Sequence, residues 1–218
     1  DPAGAPRPRP ARFEDEVARL ALLLPAVDDL HLCGYSLGAR LALGLLCHEP
    51  TRFASATLLS VNPGLASAAA REERAAADAA WEGLLQGAGL DAFLDAWEAQ
   101  PLFASQARLP AAARAAQRAR RALHQAQGLA LALRVLGLGR MPDYGLWLPQ
   151  LDLPVHLMVG ALDQKFVDLS RAAAPRLRQG SVTVVPGVGH DLLLEAPQAV
   201  AAALGAALRA PPRAAYFT

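Results

Sequence analysis

The chain has 218 residues, a formal net charge of +1 and 53% hydrophobic residues. That length suffices for one domain with a sizeable core and room for an inserted subdomain. The near-neutral charge, with no basic stripe interleaved with aromatics, gives no case for nucleic acid, and no apolar run reaches the ~18 residues of a membrane span.

In chain order, residues 1–12 are rich in proline, arginine and alanine and read as an extended loop, with no signal-peptide core expected at the start. Apolar spacing predicts an amphipathic helix over 13–24, with Phe13, Val17, Leu20, Ala21 and Leu24 on one face and Pro25 ending it. A buried strand is expected over 30–34, a largely apolar helix over 37–48, and a second strand over 56–61 closed by Asn62-Pro63-Gly64. Two strands joined by a helix of this length make a parallel βαβ unit. From residue 64 the period changes. Helices are expected over 72–86, 90–100, 111–125 and 129–136, punctuated by glycine and proline, with no strand among them. This block either caps the strand ends or completes the core layer. The sheet resumes with strands over 155–159 and 181–185, separated by a helix over 166–177 and followed by one over 195–208. Residues 211–218 are a tail whose Tyr216 and Phe217 dock or fray. The expected division is core over 1–63, helical cap over 64–148 and core over 149–218.

Cys33 and Cys47 fall in an apolar strand and an apolar helix, which implies buried, reduced thiols and a reducing, cytoplasmic compartment. Cysteine and histidine form no metal-ligand spacing, and neither a metal nor a cofactor is expected. Isoleucine is absent and Lys165 is the single lysine.

The chemistry centres on Gly34-Tyr35-Ser36-Leu37-Gly38, a G-x-S-x-G run between a strand and a helix. Such a turn presents the serine hydroxyl above the sheet, the glycines let the strand and helix backbones pass closely, and the N–H of Leu37 can point at a developing oxyanion. Asp163 and His190 follow the third and fourth strands, so both fall on the same carboxyl edge of the sheet as Ser36. A serine hydroxyl needs an imidazole within reach, oriented by a carboxylate. Ser36, His190 and Asp163 supply those groups in the chain order Ser, Asp, His found in α/β-hydrolases. Taken singly, Asp163 also reads as a helix N-cap and His190 as a loop residue. His31, His48, His124 and His156 are expected to be structural.

The segments G-Y-S-L-G-A-R-L-A-L, D-A-W-E-A-Q-P-L-F-A, G-A-L-D-Q-K-F and G-H-D-L-L-L-E together resemble the 2-succinyl-6-hydroxy-2,4-cyclohexadiene-1-carboxylate synthase family of menaquinone biosynthesis, over about residues 13–208. The resemblance implies an α/β-hydrolase-like parallel sheet with an inserted all-helical cap. It implies a lyase that removes pyruvate from a small tricarboxylate, with the Ser-His-Asp triad as base. It places Arg40, Arg74 and Arg121 on substrate carboxylates, which a guanidinium grips in a bidentate fork, and Tyr35, Trp97, Lys165 and Phe166 around the pocket. Arg114, Arg118 and Arg120 exchange with Arg121 if the register slips. Any cap arginine also reads as part of a solvated helix face, and Trp97 as a cap-core residue.

The chain departs from that family at its front. No earlier strands and no His-Gly loop, the source of a second oxyanion N–H, precede the elbow, and Asp1-Pro2-Ala3-Gly4 resembles a remnant of the segment that follows them. The fold is therefore expected to be N-terminally incomplete, with residues 30–34 left as an exposed apolar edge prone to self-association. Two other functions stay open: an esterase or C–C hydrolase acting on a small acidic substrate, and an inactive fragment that only binds or associates.

Overall fold

The computed structural model describes residues 10–27 and 29–209. The expectations for residues 1–9 and 211–218 lie outside them. Four parallel strands form one sheet in the order β1 (Leu30–Tyr35), β2 (Phe53–Leu59), β3 (Pro154–Gly160) and β4 (Gln179–Val185). Helix α1 (Phe13–Ala21) precedes β1, and α2 (Leu37–His48) links β1 to β2. The β2–β3 connection is helical: α3 (Ala68–Glu98), a 3-10 segment (Pro101–Arg108), α4 (Ala111–Ala122), α5 (Ala126–Leu136) and two further 3-10 turns. α6 (Gln164–Ala173) joins β3 to β4, and α7 (Leu192–Glu195) and α8 (Pro197–Arg209) close the chain.

The sheet is covered on both faces. The larger core joins Phe13 and Val17 of α1, Leu43 and Leu46 of α2 and the inward residues Phe53, Leu58, Val155 and Leu157 of the strands. Full burial of each such side chain favours the fold by about 1.5–3 kcal/mol. A second cluster sets Leu59 and Met158 against Val188, Leu192 and Val200 of the C-terminal elements. The helical insert has a small core of its own, where Leu85, Phe93, Leu94 and Ala130 pack with Trp81 and Trp97.

Several boundaries differ from expectation for local reasons. Pro25 biases the residue before it away from helix, and α1 ends at Ala21 with Leu22 and Leu23 exposed. α6 ends at Ala173, ahead of Pro175, and α8 begins at Pro197, because proline cannot donate inside a helix but suits its first turn. The two helices expected over 72–86 and 90–100 are the two arms of α3, separated at Gly89, whose non-helical φ of 84° only glycine adopts freely. β2 stops at Leu59 because Ser60 has a φ of 48°.

β1 pairs only with β2 and is the edge of the described sheet. Its burial alternates, with only Gly34 fully buried, so it is not the buried strand that its apolar sequence suggested. Cys33 is exposed for the same reason, and Cys47 is only half-buried, which corrects the expectation of two buried thiols. Among the described residues, no helix is long and apolar enough to cross a membrane, and no group of His, Cys, Asp and Glu is arranged to hold a metal ion.

Candidate active site

Ser36 stands between the end of β1 and the start of α2 with φ 50° and ψ −110°, a strained backbone for a residue with a side chain. The turn is held by Ser36 N–H donating to Leu59 O and by Arg40 N–H donating to Ser36 O. At Gly34 a Cβ would meet Gly38 O at 2.5 Å and Ala39 Cα at 2.7 Å, so strand and helix need glycine there. Gly38 is different from expectation. A Cβ there would meet nothing within 4 Å.

His190 is buried between the sheet edge and the insert. Its Nδ1 lies 2.6 Å from Asp163 Oδ2 and its Nε2 3.0 Å from Ser36 Oγ. The three side chains thus form one continuous hydrogen-bonded line, carboxylate to imidazole to hydroxyl. The rings of Phe166, Tyr35 and Phe103 surround the imidazole at centroid distances of 4.6, 5.5 and 6.1 Å. Ser60 Oγ donates to the carbonyl of His190 and fixes its backbone from the sheet side.

This line opens on a cavity of about 690 Å³ between the strand ends and the insert, a volume suited to a small organic molecule. Leu37, Arg40, Arg74, Trp97, Arg121, Lys165 and Phe166 all line it. Arg40 reaches it from α2, one turn beyond Ser36, with its Nη1 donating to Leu136 O at 2.8 Å. Burial, together with neighbouring Arg74 and against Asp78, brings the Arg40 pKa down to about 10, so it is still charged at neutral pH. Arg74 is paired with Asp78. Arg121 is paired with Glu98 at 2.9 Å and lies 5.4 Å over the Phe103 ring. The arginines of α4 are placed differently from one another. Arg114 and Arg120 are exposed on α4, and Arg118 is tied to Glu98 and Asp95 outside the cavity.

Tyr35 departs from expectation. It does not line the cavity but packs in the second core against Leu59 and Val200, and burial pushes its phenol well above the usual range. Strand alternation explains this, since neighbours on a strand point to opposite faces. His124 also departs. It follows α4 and lines the cavity, whereas His31 and His156 bond across strands to Ser55 and Thr183. Asp78, Ser60 and Phe103 line the cavity without having been singled out from the sequence. For Asp78 a signal existed, since it stands four residues after Arg74 on one helix face.

Fold and hydrogen-bonded line together define the class. The model of the alpha/beta hydrolase family matches residues 3–203, and the chain belongs to that family. Its kinship within the family is narrower. It is 37% identical over 195 residues to the 2-succinyl-6-hydroxy-2,4-cyclohexadiene-1-carboxylate synthase of Serratia proteamaculans (strain 568), covering 88% of this chain and 73% of that one. A relative from Bacillus subtilis (strain 168), for which the same name is provisional, is 34% identical over 77% of this chain, and this chain spans only 61% of its length. Among solved structures, MenH from S. aureus superposes with a TM-score of 0.88 at 26% identity, over 95% of this chain and 79% of that one. A thermophilic esterase from Thermogutta terrifontis, with malate bound, follows at a TM-score of 0.74 and 25% identity, over 94% of this chain and 75% of that one.

Proposed function

We propose that the chain is a carbon–oxygen lyase that eliminates pyruvate from 2-succinyl-5-enolpyruvyl-6-hydroxy-3-cyclohexene-1-carboxylate, giving 2-succinyl-6-hydroxy-2,4-cyclohexadiene-1-carboxylate. The observation that carries this reading is the Asp163–His190–Ser36 line opening on a cavity with three arginines, together with relatives that bear the synthase name. Ser36 Oγ takes the proton from the ring carbon alpha to the succinyl ketone as its own proton passes to His190 Nε2. The C–H electrons form a double bond to the neighbouring ring carbon, the existing ring double bond shifts one position toward the ether-bearing carbon, the C–O bond to the enolpyruvyl group breaks, and the departing enolate takes up a proton to become pyruvate. Asp163 holds the imidazole by Nδ1. The N–H of Leu37 stabilises charge on the ketone oxygen. Arg40, Arg74 and Arg121 meet substrate carboxylates, while Lys165, Trp97 and Phe166 shape the pocket.

The test is pyruvate release by this chain from the enolpyruvyl substrate, read through a lactate dehydrogenase couple. Release that is lost in Ser36→Ala is expected, and release unchanged in that variant would falsify the assignment. A hydrolase reading draws on the similarity to the esterase structure. It requires an acylated Ser36 after reaction with an activated ester, whereas the lyase reading requires none. We also propose a cytoplasmic setting and self-association through β1, the edge of the described sheet. Sedimentation at increasing concentration tests the association.

A further inference from the structure

The buried polar side chains that line the cavity are Ser60, Asn62, Asp78, Asp163 and His190. Asp163 and His190 belong to the relay, Ser60 donates to the His190 carbonyl, and Asp78 is paired with Arg74. Asn62, 4% exposed, differs from the other four in having a donor that the protein does not take. Its Oδ1 accepts from the Gly64 N–H at 3.0 Å. Only the oxygen of an amide can accept from an N–H, so this bond fixes which way the amide points. Nδ2 then faces away from the turn, and it donates to no group among the described residues. The turn itself is held firm. Pro63 O accepts from the Gly145 N–H at 3.1 Å, and Gly64, with φ 137°, has no room for a side chain beside Asp143. A braced loop thus presents a buried amide donor to the cavity, where a missing acceptor is costly. The sheet sets its place relative to Ser36. Tyr35 pairs with Leu59, so Ser36 is level with Ser60 on the neighbouring strand end, and adjacent strands lie about 4.8 Å apart. Asn62 follows two residues beyond Ser60, within reach of the far side of a ring that Ser36 meets from the near side.

We propose that Asn62 is a further catalytic residue, whose Nδ2–H donates to the ether oxygen of the enolpyruvyl group as the bond from that oxygen to the ring breaks. On the lyase reading, on which this assignment rests, the arginines take the carboxylates and the Leu37 N–H takes the ketone oxygen. The ether oxygen receives the electron pair of the C–O bond and is left without a partner in that scheme. It stands across the ring from the carbon that loses its proton, as Asn62 stands across from Ser36. A fixed neutral donor stabilises the charge that develops on it. Asn62 keeps its own proton throughout, and the enolate takes up its proton at the methylene carbon to become pyruvate.

The test compares Asn62→Asp with Asn62→Ala in the full chain. Aspartate is nearly isosteric and still accepts from the Gly64 N–H, but it offers the leaving oxygen no donor and sets a negative charge beside it. A residue that served only the turn would tolerate aspartate and not alanine. Asn62→Asp is instead expected to lower kcat for pyruvate release roughly a hundred- to a thousandfold, the scale of a lost oxyanion donor, and Asn62→Ala is expected to fall with it. The second readout is deuterium. With C–O cleavage slowed and proton removal intact, the carbanion is reprotonated from solvent. Substrate recovered from either Asn62 variant in heavy water is therefore expected to carry deuterium on the ring carbon alpha to the ketone, measured by mass spectrometry, above the level recovered from Ser36→Ala. A kcat for Asn62→Asp within about twofold of the parent, as a surface substitution would leave it, overturns the proposal. So does a fall in kcat without deuterium in the recovered substrate, because the fault then lies in proton removal. If only one of the two variants folds, judged by circular dichroism, that variant decides through both readouts. Failure of the parent chain to release pyruvate would overturn the lyase reading and this assignment together, whereas release by the parent and equally by Asn62→Asp overturns this assignment alone.

Discussion

Arg74 donates through both Nε and Nη2 to a single oxygen of Asp78, Oδ1, at 3.0 and 2.8 Å, while the other oxygen, Oδ2, is buried with no partner. Arg74 therefore has two tasks, lining the cavity and compensating a buried carboxylate. Truncating it leaves the nearly buried Asp78 carboxylate without its guanidinium partner. Arg74→Ala is expected to lower stability by about 1–3 kcal/mol, the scale of an unsatisfied buried polar group, besides weakening substrate binding. The double variant Arg74→Ala/Asp78→Ala is expected to recover part of the stability and none of the binding. Urea melts of the cycle, with KM measured alongside, separate the two tasks. A double variant no more stable than Arg74→Ala would remove the compensating role.

Ser36→Ala and Asp163→Asn act on the relay itself. General-base catalysis contributes about 10²–10⁴-fold, and kcat for pyruvate release is expected to fall by that order in either variant. The asparagine keeps the shape of Asp163 but favours the wrong imidazole tautomer. Neither residue holds a substrate carboxylate in this scheme, so substrate affinity measured by calorimetry should be retained. A variant that loses affinity together with kcat would argue against a purely chemical role.

The arginines of α4 offer a test of placement. Arg121 lines the cavity, whereas Arg114, seven residues earlier on the same helix, is exposed. Loss of a charged hydrogen bond of about 1.5–3 kcal/mol should raise KM roughly tenfold or more in Arg121→Gln, at 1.4 kcal/mol per decade. Arg114→Gln should stay within about twofold, as surface substitutions do. Steady-state kinetics on the two variants decides, and the reverse order would refute the placement.

Much of this site was legible in the sequence, and the illegible part has a physical pattern. Ser36, Asp163 and His190 each follow an apolar strand, so the parallel topology alone brings them to one edge. Arg40 was legible because a four-residue step on α2 returns it to the side of Ser36. Tyr35 was misplaced because a motif match carries no face, while strand alternation does. His124, Phe103 and Ser60 were illegible for another reason. They reach the cavity through the path of the insert and through the backbone bend at Ser60, neither of which has a local periodicity. The helix ends at Pro175 and Pro197 were readable from proline chemistry alone.

Arg40 is expected to contribute binding that does not vary with pH. Burial, with Arg74 beside it, lowers its pKa, but a guanidinium stays charged throughout the range in which a protein remains folded. Arg40→Met is therefore expected to raise KM roughly tenfold or more, the scale of a lost charged hydrogen bond, with the same pH profile of kcat/KM as the parent chain. A pH profile that changes shape in Arg40→Met would mean that Arg40 sets the ionisation of another group in the cavity.

The two glycines of the elbow should respond in opposite directions to the same change. A methyl group at Gly34 meets the backbone of α2 at 2.5–2.7 Å, and backbone on both sides must shift to admit it. Overpacking of that kind costs about 1–3 kcal/mol, and the shift acts directly on the residue before Tyr35 and Ser36. Gly38 is exposed in the first turn of α2, and a methyl group there meets nothing within 4 Å. Glycine in a helix is about 0.5–1 kcal/mol less favourable than alanine, so Gly38→Ala should raise the melting temperature while Gly34→Ala lowers it. Thermal melts of the two variants read this directly. Equal loss of melting temperature in both would mean that Gly38 serves the turn in some way other than space.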